Sequence, residues 1–181
     1  LDHSKTYTIL LRVTDRAGNV KTQDLTEKKN FLFDSDGPTA TLYDPNQGYV
    51  RSLTTISGGS IDQNSPISAV DVAISTGPAW PFDNFYWNGT SWSGSPYWFS
   101  ASAKDNEFNT SNEDWNLSSS LPTWLNNKIY KVQARHKDMA GNNPNVVSST
   151  FTFDNQFATA TIATPPAGTA YQKLTLVTGT M

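Results

Sequence analysis

The sequence has no cysteine, few charged residues and no long hydrophobic run, and each absence excludes a class of protein. Without cysteine there are no disulfides, no thiolate metal sites and no thiol catalysis. Because no run of about 18 apolar residues occurs, we expect no membrane insertion. The 13 basic residues form no cluster and are outnumbered by 16 acidic ones, which argues against a nucleic-acid partner.

Aromatic residues, by contrast, are abundant, with six Trp, seven Tyr and nine Phe. Much of the remainder is Ser, Thr, Asn and Gly, with ten Pro. This composition is typical of extracellular all-β modules, since helical proteins use more Ala, Leu, Glu and Lys. The aromatic and β-branched residues are numerous enough to form a core, so the sequence is not that of a disordered chain.

An internal repeat organises the chain. Residues 5–19 (KTYTILLRVTDRAGN) match residues 128–142 (KIYKVQARHKDMAGN) at an offset of 123. Three further matches follow in the same order at an offset of 120: residues 31–34 with 151–154, 39–42 with 159–162, and 54–59 with 174–179. Matches that keep one order along the chain indicate a repeating unit of about 120 residues.

The phase of this repeat predicts three pieces. Residues 1–34 are the C-terminal strands F and G of a preceding repeat, residues 37–154 a complete repeat, and residues 157–181 the N-terminal strands A and B of a following one. Short polar linkers separate the pieces. Because the chain begins LDHSKTYT, without an initiator Met or a signal peptide, we expect position 1 to lie inside a longer protein. The open edges of the incomplete pieces are expected to pair with neighbouring repeats or with identical subunits.

The hydrophobic pattern within residues 37–154 has a period of two. Along residues 130–136, inward-facing Tyr, Val, Ala and His alternate with outward-facing Lys, Gln and Arg. The pair Asn88-Gly89 predicts a hairpin turn. No segment has a helical stripe longer than two turns. About seven short strands over somewhat more than 100 residues are typical of a β-sandwich.

Several blocks together carry a resemblance to a known family. A Tyr that opens a strand is followed by Asp-x-Ala-Gly-Asn at residues 15–19 and 138–142, then by Phe-x-Phe-Asp and Pro-Thr-Ala-Thr. This succession resembles the bacterial immunoglobulin-like repeats of large secreted and surface proteins. The resemblance implies immunoglobulin-like Greek-key β-sandwich repeats in tandem, with the Tyr as a tyrosine corner near the start of strand F. Residues 77–125, a long Trp-rich insert, depart from the family pattern.

Motifs of common enzymes are missing. The sequence has no Gly-x-Ser-x-Gly elbow, no phosphate-binding loop and no His-Glu-x-x-His. Its carboxylates are too sparse to single out a glycosidase-like acid–base pair. His136, one of two histidines, stands where Val13 stands in the other copy, so we expect a partly buried residue at a strand end. We predict that the chain is not an enzyme.

The Asp-x-Ala-Gly-Asn turns allow two interpretations. In the first, the Asp only accepts backbone N–H bonds, and the Gly supplies the positive φ that a tight turn needs. In the second, the F–G turn and the domain's N-terminus share one pole, where hard oxygen ligands suit Ca²⁺. The candidate ligands are Asp34, Asp36, Asp138 and Asn142. Some repeats of the similar family hold calcium between domains. No other cofactor is expected.

Residues 80–99 contain nine aromatic side chains in twenty positions. Strand alternation would send half of them into the core; alternatively, they form an exposed platform for sugar rings or a neighbouring subunit. We expect at least three of them outside the core. The candidate surface residues are Trp80, Tyr86, Trp92, Tyr97 and Trp98.

These observations predict a structural and adhesive segment of a secreted or surface-displayed protein, which acts as a spacer, stalk or filament subunit. Its expected partners are neighbouring repeats or identical subunits, with glycans as further candidates. Two other functions remain open. One is a carbohydrate-binding module that uses the Trp-rich insert, and the other is an accessory domain of a secreted hydrolase.

Overall fold

The computed structural model describes residues 1–22, 28–77, 84–142 and 146–181, and this part of the chain is all-β. The absence of helices from the described ranges confirms the predicted all-β class. Consequently, none of these residues belongs to a helix with the length and apolar character that crossing a membrane requires. The strands are β1 (Lys5–Ile9), β2 (Arg12–Thr14), β3 (Val20–Thr22), β4 (Lys29–Phe33), β5 (Thr39–Asp44), β6 (Tyr49–Val50), β7 (Ile56–Ile61), β8 (Ile67–Thr76), β9 (Tyr86–Trp87), β10 (Trp92–Ser93), β11 (Phe99–Ser100), β12 (Ser102–Ala103), β13 (Asn112–Leu117), β14 (Lys128–Asp138), β15 (Val146–Phe153), β16 (Thr161–Thr164) and β17 (Thr178–Thr180).

Two sheets make a sandwich-like arrangement within residues 37–154. One has the strand order β10-β9-β8-β14-β15-β6, with β11 also paired to β8, and the other has the order β12-β13-β7-β5. The long strands β8, β14 and β15 pair antiparallel, whereas β6 runs parallel to β15. The predicted hairpin joins β9 to β10, with the Asn88 N–H donating to the carbonyl oxygen of Ser91. Its two turn residues are therefore Gly89 and Thr90, one position later than the sequence predicted.

The core lies between the two sheets. Alternation along β14 leaves Tyr130, Val132 and Ala134 completely buried, as the period of two predicted. From the opposite sheet, Ile56 and Trp115 are equally buried. Each large apolar side chain buried in this way stabilises the fold by about 1.5–3 kcal/mol.

Gly58 lets the largest core side chain fit. A Cβ at this position would overlap the Trp115 ring on one side and the carbonyl oxygen of Thr41 on the other. The ring therefore rests directly on the backbone of β7, which no residue with a side chain would permit.

The strand pairs at the two ends of the chain repeat registers seen in the sandwich. In the β1–β4 pair Lys5 lies opposite Phe33, as Lys128 lies opposite Phe153 in the β14–β15 pair. These positions are related by the sequence offsets of 123 and 120.

The β16–β17 pair resembles the β5–β7 pair of the sandwich, but its register is shifted by one position against the sequence match. Its glycine, Gly179, lies opposite Ile162 in the way that Gly58 lies opposite Leu42. The sequence match had instead aligned Gly179 with Gly59. The reason is steric, since Gly58 and Gly179 are the positions where a carbonyl oxygen of the paired strand approaches too closely for a Cβ.

His136 is completely buried, which corrects the prediction of a partly buried residue at a strand end. β14 continues to Asp138 and pairs with β8 as far as Ile67, so His136 lies inside the strand. Its ring meets the Trp115 ring edge to face, with centroids 5.7 Å apart. Burial lowers the pKa of His136 from 6.5 to about 4.

We predict that the protein loses stability as the pH falls below 6.5. The unfolded chain binds a proton at His136 near its ordinary pKa, whereas the folded protein keeps the ring neutral down to about pH 4, so protons favour unfolding in this window. The expected loss is about 2 kcal/mol at pH 5. Urea titrations at pH 7, 6 and 5 measure it. His136→Val, which installs the residue found at the matching position 13, should remove the pH dependence; a variant with the same dependence would contradict the assignment.

Candidate functional site

Three carboxylates meet at the pole of the sandwich nearest the N-terminal segment. Asp34 follows β4, Asp62 follows β7 and Asp138 ends β14. One oxygen of each lies within 4.8 Å of the others. Only 2% of the Asp34 side chain is exposed, and Asp62 and Asp138 are also buried. We call these three residues the carboxylate cluster.

Asp138 is held by the turn that it opens. Its Oδ1 accepts the Asn142 backbone N–H at 2.9 Å, and its Oδ2 accepts a side-chain N–H of Asn142 at 2.7 Å. Gly141 in this turn has φ +85°, which favours glycine. Burial alone would raise the pKa of Asp138, but these hydrogen bonds hold it below the ordinary value, so the carboxylate stays ionised.

Asp62 is satisfied in a similar way by its own loop. Its Oδ1 accepts the backbone N–H groups of Asn64 at 2.7 Å and Ser65 at 2.9 Å. This is the local turn that an Asp followed by a polar stretch favours. The sequence does not single out Asp62, because a single Asp after a strand is common, and only the fold brings it beside Asp34 and Asp138.

Asp34 is the member of the cluster without full compensation. Its Oδ1 lies 3.4 Å from Nδ1 of His3, whereas its buried Oδ2 has no hydrogen-bond partner among the residues that the structure describes. Buried polar atoms nearly always have a partner, which can be a protein group, water or an ion. Asp34 Oδ2 is therefore the atom of this pole that most needs an external partner.

The other two predicted calcium ligands lie beside the cluster rather than in it. The Asp36 side chain is 71% exposed, and its carboxylate lies 3.4 Å from Nε2 of His3. Asn142 turns its side-chain nitrogen towards Asp138 and also donates to the carbonyl oxygen of Asp36 at 2.8 Å. The structure thus brings all four predicted residues to one pole, with Asp34 and Asp138 at its centre.

The candidate aromatic surface is divided between core and solvent. Trp80 lies outside the described residues. Trp92 is half-buried and packs against the core, with its ring 5.9 Å from that of Tyr130. Tyr86 and Trp98 are also half-buried, whereas Tyr97 is exposed. None of the aromatic side chains described between residues 84 and 99 is fully buried.

Trp98 already has a partner on one face of its ring. The Arg135 guanidinium carbon lies 4.4 Å from the ring centroid, in a cation–π contact. Arg135 is fixed there by Asp71, whose Oδ2 lies 3.0 Å from both Nε and Nη2. Tyr97 packs edge to face on Phe99, with centroids 4.8 Å apart. The contact with Arg135 therefore holds Trp98 in place, whereas Phe99, which Tyr97 contacts, packs against the core.

No family model and no curated protein matches the chain. Among solved structures, the chain is similar to an engineered protein whose crystal structure was determined at 1.98 Å, with 13% identity, a TM-score of 0.38, and 64% of this chain and 20% of that chain covered. It is also similar to Astrotactin-2, a conserved vertebrate-specific and perforin-like membrane protein involved in neuronal development, with 12% identity, a TM-score of 0.39, and 67% and 22% covered. The chain thus spans about a fifth of each of these chains. Similarity at this level supports no conclusion about function.

Asn142→Ala tests how strongly the turn at residues 138–142 depends on the Asn142 side chain. The change removes the bonds to Asp138 Oδ2 and to the Asp36 carbonyl, and it leaves a buried carboxylate short of a donor. We expect a loss of about 1–3 kcal/mol in the free energy of unfolding, measured by urea titration.

Asn19→Ala is the matched control for Asn142→Ala. Asn19 makes the same bond to Asp15, at 2.8 Å, in the corresponding turn between β2 and β3. There the carboxylate is exposed to water, so the loss should be much smaller. Equal losses in the two variants would show that burial of Asp138 is irrelevant to the turn.

Proposed function

We propose that the chain is part of a tandem array of immunoglobulin-like repeats that forms a stalk, spacer or filament of an extracellular surface protein. The observation that carries this proposal is that the β1–β4 pair at the N-terminal end has the same register as the β14–β15 pair of the sandwich. Registers set by chance would not coincide residue for residue, because a slip of one position moves every side chain to the other face of a strand.

The N-terminal segment also repeats the contacts of a tyrosine corner. The Tyr7 hydroxyl accepts the backbone N–H of Asp2 at 2.6 Å, and the Tyr130 hydroxyl accepts that of Leu125 at 2.8 Å. Each donor lies five residues before its tyrosine. Such a bond to the upstream backbone is typical of strand F in immunoglobulin-like sandwiches, so it supports an F–G origin for residues 1–34.

The strand order of the sandwich supports the immunoglobulin-like assignment. With β5, β7, β12 and β13 as strands A, B, D and E, one sheet has the order A-B-E-D. With β8, β14 and β15 as strands C, F and G, the other contains C-F-G. This is the arrangement of constant-type immunoglobulin domains.

Exposed apolar residues in the N-terminal segment fit the same proposal. Ile9 is 57% exposed and Leu11 60%, while Val132 and Ala134, which match them in the repeat, are both 0% exposed. An apolar face of this kind is normally covered by another part of the molecule. In a tandem array the remaining strands of a preceding repeat would cover it.

A fusion that supplies those strands tests the proposal. Residues 37–127 are placed directly before residue 5, so that the added copy and residues 5–34 together span one repeat. We expect amide hydrogen exchange in Lys5–Ile9 to slow by roughly tenfold or more, because a core then protects the strand.

The control fusion carries Ile56→Asp in the added copy only. Ile56 is completely buried, so the charge should prevent the added strands from packing and leave the exchange of Lys5–Ile9 fast. Fast exchange in both fusions would contradict the tandem-repeat assignment.

A second candidate role, calcium binding at the carboxylate cluster, is favoured by the buried Asp34 Oδ2, which has no hydrogen-bond partner in the described part of the chain. Carboxylate oxygens suit Ca²⁺, which takes six to eight oxygen ligands, and carbonyls or water would supply the rest. Three buried carboxylates repel one another unless a cation or N–H donors compensate. Asp34 lies in the linker while Asp62 and Asp138 belong to the sandwich, so a bound ion would tie the N-terminal segment to the domain.

Calcium should raise the melting temperature of the chain, since a ligand that binds only the folded state stabilises it. Chelator should reverse the rise. Asp62→Asn should abolish the response, whereas Asp36→Asn should keep it, because the exposed Asp36 carboxylate lies outside the cluster. A melting temperature that is the same with calcium and with chelator would leave the metal without a role.

A further inference from the structure

The interior of the sandwich changes from apolar to polar at the level of Trp115 and His136. These two rings face each other from opposite sheets. On β7, the next inward position after Gly58 is Ser60, which is also completely buried. We call Ser60, Trp115 and His136 the polar layer, which lies between the apolar core and the carboxylate cluster.

The polar atoms of this layer have no protein partners within the described part of the chain. They are Oγ of Ser60, Nε1 of Trp115 and both ring nitrogens of His136. In contrast, the carboxylate of Glu113, which lies opposite Ser60 on β13, accepts hydrogen bonds from Asn109 and Thr110, and nearer the pole Asp138 accepts them from Asn142. Four unsatisfied atoms in one place are unusual, because an unpaired buried donor or acceptor costs about 1–3 kcal/mol.

The chemistry of these atoms fits a small neutral ligand. The indole N–H only donates, a neutral imidazole offers one donor and one acceptor, and a hydroxyl offers both. A cation would need more oxygen ligands than the single hydroxyl, and an anion would lack a positive charge to pair with. Water donates two hydrogen bonds and accepts two, so it complements this set.

The geometry also suits bridging water. The Trp115 ring rests on Gly58, with Cε2 next to the position of a Cβ, so the adjoining Nε1 lies over β7. Ser60 follows two residues later on the same face, about 6.6 Å along the strand. Two hydrogen bonds through one water span up to about 5.6 Å, so side chains that lean towards each other from successive inward positions can share one water.

We propose that the sandwich holds ordered water in the polar layer, bonded to the side chains of Ser60, Trp115 and His136. The water satisfies atoms that the protein leaves unpaired and separates the apolar core from the charged pole. Neither a carboxylate nor a neighbouring repeat is needed to hold this water. Its presence can therefore be tested independently of the calcium site and of the tandem array.

A crystal structure of the full chain at about 1.5 Å resolution tests the proposal directly. We expect water density within hydrogen-bond distance of Trp115 Nε1, of Ser60 Oγ and of a ring nitrogen of His136. A dry layer, with the rings in direct contact and no such density, would overturn the proposal.

Thermal unfolding gives a second test. If water bonds the hydroxyl, Ser60→Ala lowers the melting temperature, whereas removing a hydroxyl without a partner would raise it. Ser60→Ala and His136→Val should shift the melting temperature non-additively, because they share the water. Ser60→Ala with Ile74→Val, a core change at another level, is the control and should be additive. A higher melting temperature for Ser60→Ala, or additive shifts in both pairs, counts against bound water.

Discussion

The alternation of side chains along β14 is the constraint on which the rest of the structure depends. This strand lies between β8 and β15, and its inward positions run from Tyr130 through His136 to Asp138. One strand therefore supplies the apolar core, the polar layer and one member of the carboxylate cluster. A slip of one residue would expose all of them together, so core packing also fixes the geometry of the pole.

The polar pole is stable only because most of its charges are compensated locally. Burying a carboxylate is unfavourable unless hydrogen bonds or opposite charges replace water. Asn142 provides that compensation for Asp138, and the loop N–H groups provide it for Asp62. Within the described residues, Asp34 has partners on one oxygen only, where Oδ1 lies near His3 and accepts the backbone N–H of Asp36. The pole thus combines two carboxylates fixed by the domain with one that comes from the linker.

The sequence predicted the parts of the fold that depend on local pattern. The period of two located the long strands, and Asp-x-Ala-Gly-Asn located a turn in which Asp138 accepts bonds from Asn142. Contacts between distant segments of the chain could not be predicted from such local patterns. Nothing near Asp62 in the sequence indicates that it meets Asp34, and the burial of His136 depends on how far β8 pairs with β14. The sequence could not decide whether the aromatic side chains of the insert lie in the core or on the surface, because a core and a binding surface use the same residue types.

The junction between the N-terminal segment and the sandwich is stiffened by the contacts around Asp34, even without a bound cation. Ser4 donates to Asn64 Oδ1 at 3.0 Å, and the His3 ring lies 3.0 Å from the Asn64 amide nitrogen, so the N-terminal segment contacts the loop that holds Asp62. Bending at the linker would break these contacts and pull Asp34 out of a buried position. A cation in the cluster would make that movement harder, because it would hold Asp34 to two carboxylates of the sandwich. These contacts therefore fix the orientation of the N-terminal segment at the linker, and a bound ion would make that orientation harder to change.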